Sequence, residues 1–228
     1  RMVDNLAHVD AKLAARVAAP LGINAPDAKA AAGRLGFRDY KIVQTVEDDA
    51  ALSMARPAPD IKTRRVAILV ADGVDLFTFK RIQQDLLDAG AVCKVIAPQL
   101  GTVNTSSGKQ LAVDHTFSNM PSVMFDAVLL PGGADSAAAL AQLGDAVHFV
   151  LEAYKHCKTI CAVNDGVQLL STLGFKLDKN PEVISVPTAG VIMADARKVA
   201  DGQVSQDFIA AIALHRHWDR LNIDAVPA

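Results

Sequence analysis

Residues 158–175, KTICAVNDGVQLLSTLGF, carry an apolar run into a tight turn and then into a helical pattern, with Cys161 just before the turn. A thiol lifted out of a sheet at such a turn is a nucleophile in waiting. The amino end of the helix lowers its pKa, and nearby amide hydrogens stabilise an oxyanion. The spacing argues against Cys161 in that role. With the helix beginning near Gly166, the apex of the turn falls on Asn164 and Asp165, and Cys161 lies inside the strand as a small buried hydrophobe. Cys157, at the end of a helix, and Cys93, in a strand, read the same way.

Asp75 and Asp165 fall on two loops at one end of the expected sheet, where paired carboxylates do acid/base work. Capping of the helix that follows each is the simpler role. Residues 131–133, PGG, offer amide hydrogens to an anion or merely turn the chain. His156, Cys157 and Cys161 lie close in sequence, but a closed zinc site needs a second short-spaced pair, and no metal is expected. HRHW, residues 215–218, is placed on a closing helix over 206–219, with Trp218 packed and the histidines at the surface.

The positioning elements follow from periodicity. RVAILVADG, AVCKVIAP, FDAVLLPGG and KTICAV are short apolar runs ending at turn residues, the pattern of strands buried on both faces. Helices are expected over 75–88 and about 137–155, and in GVQLLSTLGF. GTVNTSSGKQLAVDHTF reads as a turn-rich excursion with a strand at 111–114, and EVISV, GVIMAD and ARKVADGQVS as later strands and a turn. Alternation of this kind predicts an α/β fold, a flavodoxin-like three-layer sandwich with a mainly parallel sheet. Such a sheet presents ligands with loops 72–75, 131–134 and 164–166. Ahead of it, residues 1–62 read as an arm. One amphipathic helix carries Leu6, Val9, Leu13 and Val17 on a stripe, with Asp4 as cap, and an Ala- and Pro-rich linker follows. The domain proper is 63–228.

A chain of 228 residues holds one such domain and an appendage. Its net charge of -2 gives no reason to expect nucleic acid or a membrane surface as partner. Three cysteines fit a reducing compartment better than a disulfide framework, and RMVDNLAHVD lacks the apolar core of a signal peptide, so a cytoplasmic setting is expected.

RVAILVADGVD, GTVNTSSGKQLAVDHTF, FDAVLLPGG and VNDGVQLL, in that order across residues 63–220, resemble the ThiJ/PfpI family of the class I glutamine-amidotransferase-like superfamily. Active members carry I-C-H-G-P at the elbow and a Glu on the loop after the first strand. The resemblance puts Asn164 at the place of the nucleophilic Cys and Asp165 at that of the His. Asp75 falls near the Glu, and Gly132 and Gly133 match the oxyanion loop. A carboxamide cannot replace a thiolate, so no catalytic residue is expected and the pocket is read as vestigial. RMVDNLAHVDAKLAARVAAPLGI and ARPAPDIKTRRVAILVADGVD are similar to the end of the core and the linker of large-subunit heme catalases, and AAIALHRHWDRL and IDAVPA to their carboxyl end. The first residue, Arg rather than Met, accords with a catalase core upstream.

The implied role is a non-catalytic accessory domain. Its partners would be the catalase core of a homotetrameric parent that dismutes hydrogen peroxide, and unfolded client proteins held in chaperone fashion. Heme would belong to the parent, and no cofactor to this chain. Two alternatives stay open: a hydrolase or glyoxalase-like enzyme using Asp75 and Asp165, and a redox sensor through Cys161 or Cys157.

Overall fold

A parallel sheet exposes apolar side chains on both faces, so helices must cover both. The computed structural model describes residues 2–27, 60–172, 190–220 and 226, and the chain divides into two compact units, Arg1–Met54 and Ala55–Ala228. In the second unit, strands β1 (Arg65–Leu69), β2 (Val92–Ala97), β5 (His115–Thr116), β6 (Ala127–Leu130), β7 (Thr159–Val163) and β8 (Val191–Ala194) form a sheet of order β5-β2-β1-β6-β7-β8. Every described pairing in it is parallel. Strands β3 (Gly101–Asn104) and β4 (Gln110–Val113) form a separate antiparallel hairpin. The chain is an α/β sandwich of flavodoxin-like type.

Strand alternation sorts the core into two layers. Val66 and Ile68 of β1, Leu129 of β6, and Cys161 and Val163 of β7 face one side. There they meet Phe79, Ile82 and Leu86 of helix α3 (Leu76–Asp88) and Phe208 and Ile212 of helix α8 (Gln203–Ala213). Ala67, Leu69, Val128, Leu130, Ile160 and Ala162 face the other side. They are covered by Leu140 of α4 (Ala134–Gln142), Phe149 and Val150 of α5 (Gly144–Lys155), and Leu169 and Leu170 of α6 (Asp165–Thr172). A fully buried Leu or Phe contributes on the order of 1.5–3 kcal/mol.

The structure departs from the periodicity at several places. The amphipathic segment is two helices, α1 (Met2–Val9) and α2 (Ala11–Ala18). Asp10 takes an extended conformation between them and caps the second by accepting from Leu13 N at 2.8 Å. The buried side is Val3, Ala7, Ala14 and Ala18, while Val9 and Leu13 of the expected stripe are exposed. The helix expected over 137–155 is likewise two, broken at Leu143 in an extended conformation. ARKVADGQVS is a helix, α7 (Ala196–Ala200), with a turn into α8. Asp195 caps α7 by accepting from Arg197 N and Lys198 N, so a local polar contact overrides the strand-like reading. EVISV lies outside the described residues. Among the described residues no helix is long and apolar enough to cross a membrane.

Helix α8 ends at Ala213, so HRHW is not helical: Trp218 is 79 % exposed and His217 only 6 %. His215 has φ +68°, which turns the chain back under the amino-terminal ends of the strands. There His217 donates its amide to Cys157 O at 2.9 Å, its Nε2 lies 2.9 Å from Thr159 Oγ1, and its ring rests against Gly190. Arg220 donates to Tyr154 O at 2.7 Å and Lys158 O at 2.8 Å, tying the end of α5 to the start of β7, and sits 4.3 Å over the Tyr154 ring. The same end buries Lys158, whose Nζ donates to Ser122 O at 2.6 Å.

Burial is the main cause that pushes Lys158 down from 10.5 to about 8, with Arg216 adding to it. Between those values the unfolded chain still binds the Lys158 proton that the folded chain has lost, so stability rises with pH there. The cost of charging Lys158 is fully present below about pH 8 and is relieved as pH climbs toward 10.5. Urea midpoints measured across this window are expected to rise in the parent chain relative to Lys158→Met. Identical pH profiles for the two chains would contradict this account.

Candidate functional site

The sheet order reverses between β1 and β6, and the crevice above their carboxyl ends is where an open α/β sheet takes its ligand. Three loops converge there, and the structure brings Asp75, Gly132, Gly133, Asn164 and Asp165 to them. Each loop spends its polar groups on the others. Asp75 N donates to Gly132 O at 3.2 Å, and Ala71 N to Ser136 Oγ at 2.9 Å. Gly133 N donates to Asp165 Oδ2 at 3.3 Å, and Asn164 N to Ala194 O at 2.9 Å.

Gly132 and Gly133 are required by this closure. Their φ values are +88° and +99°; a Cβ on Gly132 would come within 2.7 Å of Val163 O, and one on Gly133 would collide with Gly73 O. A small void beside Gly132, lined by Leu69, Leu130, Pro131, Gly132, Ser136 and Gly166 among others, has a volume of about 10 Å³. That is room for one water at most.

The two carboxylates serve different ends. Asp75 is the N-cap of α3, accepting from Phe77 N at 3.1 Å and Thr78 Oγ1 at 2.6 Å, as the capping role anticipates. Asp165 has a partner on another loop. It is the first residue of α6, and its carboxylate occupies the Gly133 amide, the donor that an oxyanion loop would offer to substrate. The apex residue is Asn164, at φ +49°, a left-handed conformation that Asn tolerates better than most residues. No thiol, hydroxyl or imidazole stands at that position.

Cys161 is fully buried on the face toward α8, three residues before the apex, and burial pushes its thiol far above the ordinary range. Cys93 is pushed up to about 12 by the same cause. Ser136 and Asp135, which brace this junction, escape a reading of the sequence. Ser136 reports no sign of its partner Ala71, 65 residues earlier. Among the described residues no group of three or more His, Cys, Asp or Glu comes together to hold a metal ion.

A second, open groove of about 580 Å³ lies beside the crevice. Asp75, Leu76, Phe77, Lys80, Arg81 and Gln84 of the α3 side form one wall, and Ser106, Ser107 and Lys109 of the β3–β4 turn the other. It does not fit a heme: no His, Cys, Tyr or Met lines it to ligate iron.

Comparison with known proteins gives a consistent picture. Residues 62–222 match the family described as the C-terminal domain found in long catalases. Catalase HPII of Mycobacterium avium is 38 % identical over 231 residues, covering 100 % of this chain and 31 % of that protein. Catalase HPII of Pseudomonas putida is 37 % identical over 225 residues, covering 98 % of this chain and 28 % of that protein. The chain thus spans less than a third of the length of these relatives. Among solved structures, DJ-1 of Schizosaccharomyces pombe superposes with a TM-score of 0.56 at 18 % identity, over 71 % of this chain and 96 % of that one. A two-domain protein from Anabaena variabilis, with DJ-1/ThiJ/PfpI-like and ferritin-like domains, gives 0.56 at 21 % identity over 63 % and 48 %. At such identities the likeness is one of fold.

Burial sets the behaviour of the thiols: in the folded chain Cys161 and Cys157, 0 % and 2 % exposed, are expected to resist iodoacetamide at neutral pH and to react only in denaturant. Peptide mass spectrometry reads this directly. Rapid native-state alkylation of Cys161 would contradict it.

Proposed function

Because the chain belongs to the family of C-terminal domains found in long catalases, we propose that it serves as the non-catalytic accessory domain of a heme catalase, stabilising its parent and holding unfolded proteins in the manner of a chaperone. In this reading the parent is a homotetramer whose core, not this domain, carries heme and dismutes hydrogen peroxide. The observation that carries the non-catalytic part is the strand-end crevice. Its amide donor is taken by Asp165 and its apex is Asn164. In this reading the crevice supports neither hydrolysis nor thiol chemistry.

Exposed apolar side chains support the holding role. Met2, Val9, Leu13, Leu21 and Ile23 are exposed on the arm, and Val123, Met124 and Trp218 on the sandwich. Each is worth on the order of 1.5–3 kcal/mol if fully buried against an unfolded segment. A few partial burials at once would suffice for reversible capture, with no nucleotide hydrolysis needed.

The chain at a stoichiometric ratio is expected to lower the light scattering of a thermolabile client on heating, and Val9→Ser/Leu13→Ser to do so less well. Unchanged scattering would refute the holding role. Mixed with hemin and desalted, the chain is expected to show no Soret band. A retained band would refute the claim that heme belongs to the core alone.

A further inference from the structure

The groove between α3 and the β3–β4 turn is not explained by an accessory or holding role, and its chemistry is specific. Phe77, Lys80, Arg81 and Gln84 recur at helical spacing and so share one face of α3. Across from them stand Ser106, Ser107 and Lys109. Three cations face one carboxylate, Asp75, which is already engaged with Phe77 N and Thr78 Oγ1. Arg81 is held by Asp85 at 3.2 Å. Among the described residues Lys80 and Lys109 have no carboxylate within ion-pair distance, so their charge is directed at solvent.

The walls are tied together rather than loosely apposed. Val74, at the entry to α3, bridges to Thr105, and Ser106 N donates to Val74 O at 2.9 Å. The turn is closed internally: Thr105 N donates to Lys109 O at 2.7 Å, Lys109 N to Thr105 Oγ1 at 3.0 Å, and Gly108 N to Thr105 O at 2.9 Å. Thr105 Oγ1 and Ser107 Oγ also lie 3.1 Å apart. A cleft of fixed width loses little freedom when it binds. Its volume, about 580 Å³, lies within the range of small-molecule sites. Phe77, 59 % exposed, adds a bare aromatic ring to the rim.

We propose that this groove binds a nucleoside monophosphate, with Lys80, Lys109 and the Ser106 hydroxyl on the phosphate and the base stacked on Phe77. A lysine pair suits a dianionic phosphate, and the ring distinguishes a nucleotide from a sugar phosphate or inorganic phosphate. The inference does not depend on the accessory role: either can fail alone.

Calorimetric titration of the full chain at low salt with AMP, adenosine, ribose 5-phosphate and inorganic phosphate tests it. AMP is expected to bind saturably and more tightly than the other three, and more weakly as salt is added. Lys80→Ala/Lys109→Ala is expected to weaken AMP about tenfold and to flatten its salt dependence. Phe77→Ala is expected to weaken AMP while leaving ribose 5-phosphate unchanged. Absence of saturable AMP binding, or AMP binding that the double lysine variant leaves intact, would overturn the proposal. Equal binding of AMP and inorganic phosphate would overturn the assignment to nucleotides. The substituted side chains lie at the surface, and the urea midpoint of each variant shows that it has folded.

Discussion

Everything in the sandwich depends on a parallel sheet having both faces sealed. Val66 and Ile68 point to one helical layer and Ala67 and Leu69 to the other, so no strand of the sheet centre has a face to offer solvent or ligand. Function is thereby confined to the two ends of the strands and to the outer surfaces of the helices. At those ends backbone amides and carbonyls leave the ladder and must find other partners.

At the carboxyl end they find one another. The Gly132 carbonyl takes the Asp75 amide, Ser136 takes that of Ala71, and Asp165 takes that of Gly133. An elbow that presents a nucleophile must leave amide donors open for a developing oxyanion. Here an internal carboxylate, that of Asp165, accepts from the Gly133 amide and ties two of the loops together. The left-handed apex is held by Asn164, whose side chain is a carboxamide.

At the amino end the returning segment 214–220 supplies the missing partners. Arg220 gathers the carbonyls of Tyr154 and Lys158, and His217 fills the space over Gly190 beside Thr159. These contacts bury cations, and burial shows in the depressed pKa of Lys158 and in that of Arg220, held near 10. Among the described residues, the charge of Lys80 and Lys109 beside Phe77 has no carboxylate partner and is a feature of the upper surface that packing does not account for.

What was legible in the sequence was local or periodic. The strands are continuous apolar runs between turn residues, and the cap at Asp75 is legible because its acceptor and donors lie within three residues. The helix break at Asp10 was hidden because Leu6, Val9, Leu13 and Val17 make an acceptable stripe whether or not one capping aspartate interrupts it. Trp218 and His217 exchanged their expected places because the end of a helix is set by what the following chain can reach, here Cys157 and Thr159 about 60 residues earlier. The sequence by itself determined the sandwich, the family resemblance and the absence of a nucleophile at residue 164, since these rest on residue type and on spacings of a few positions. Only the tertiary structure decided that Asp165 takes the Gly133 amide and that Phe77, Lys80 and Lys109 share one groove. Those are juxtapositions of distant segments, fixed by three-dimensional packing that no short-range pattern encodes.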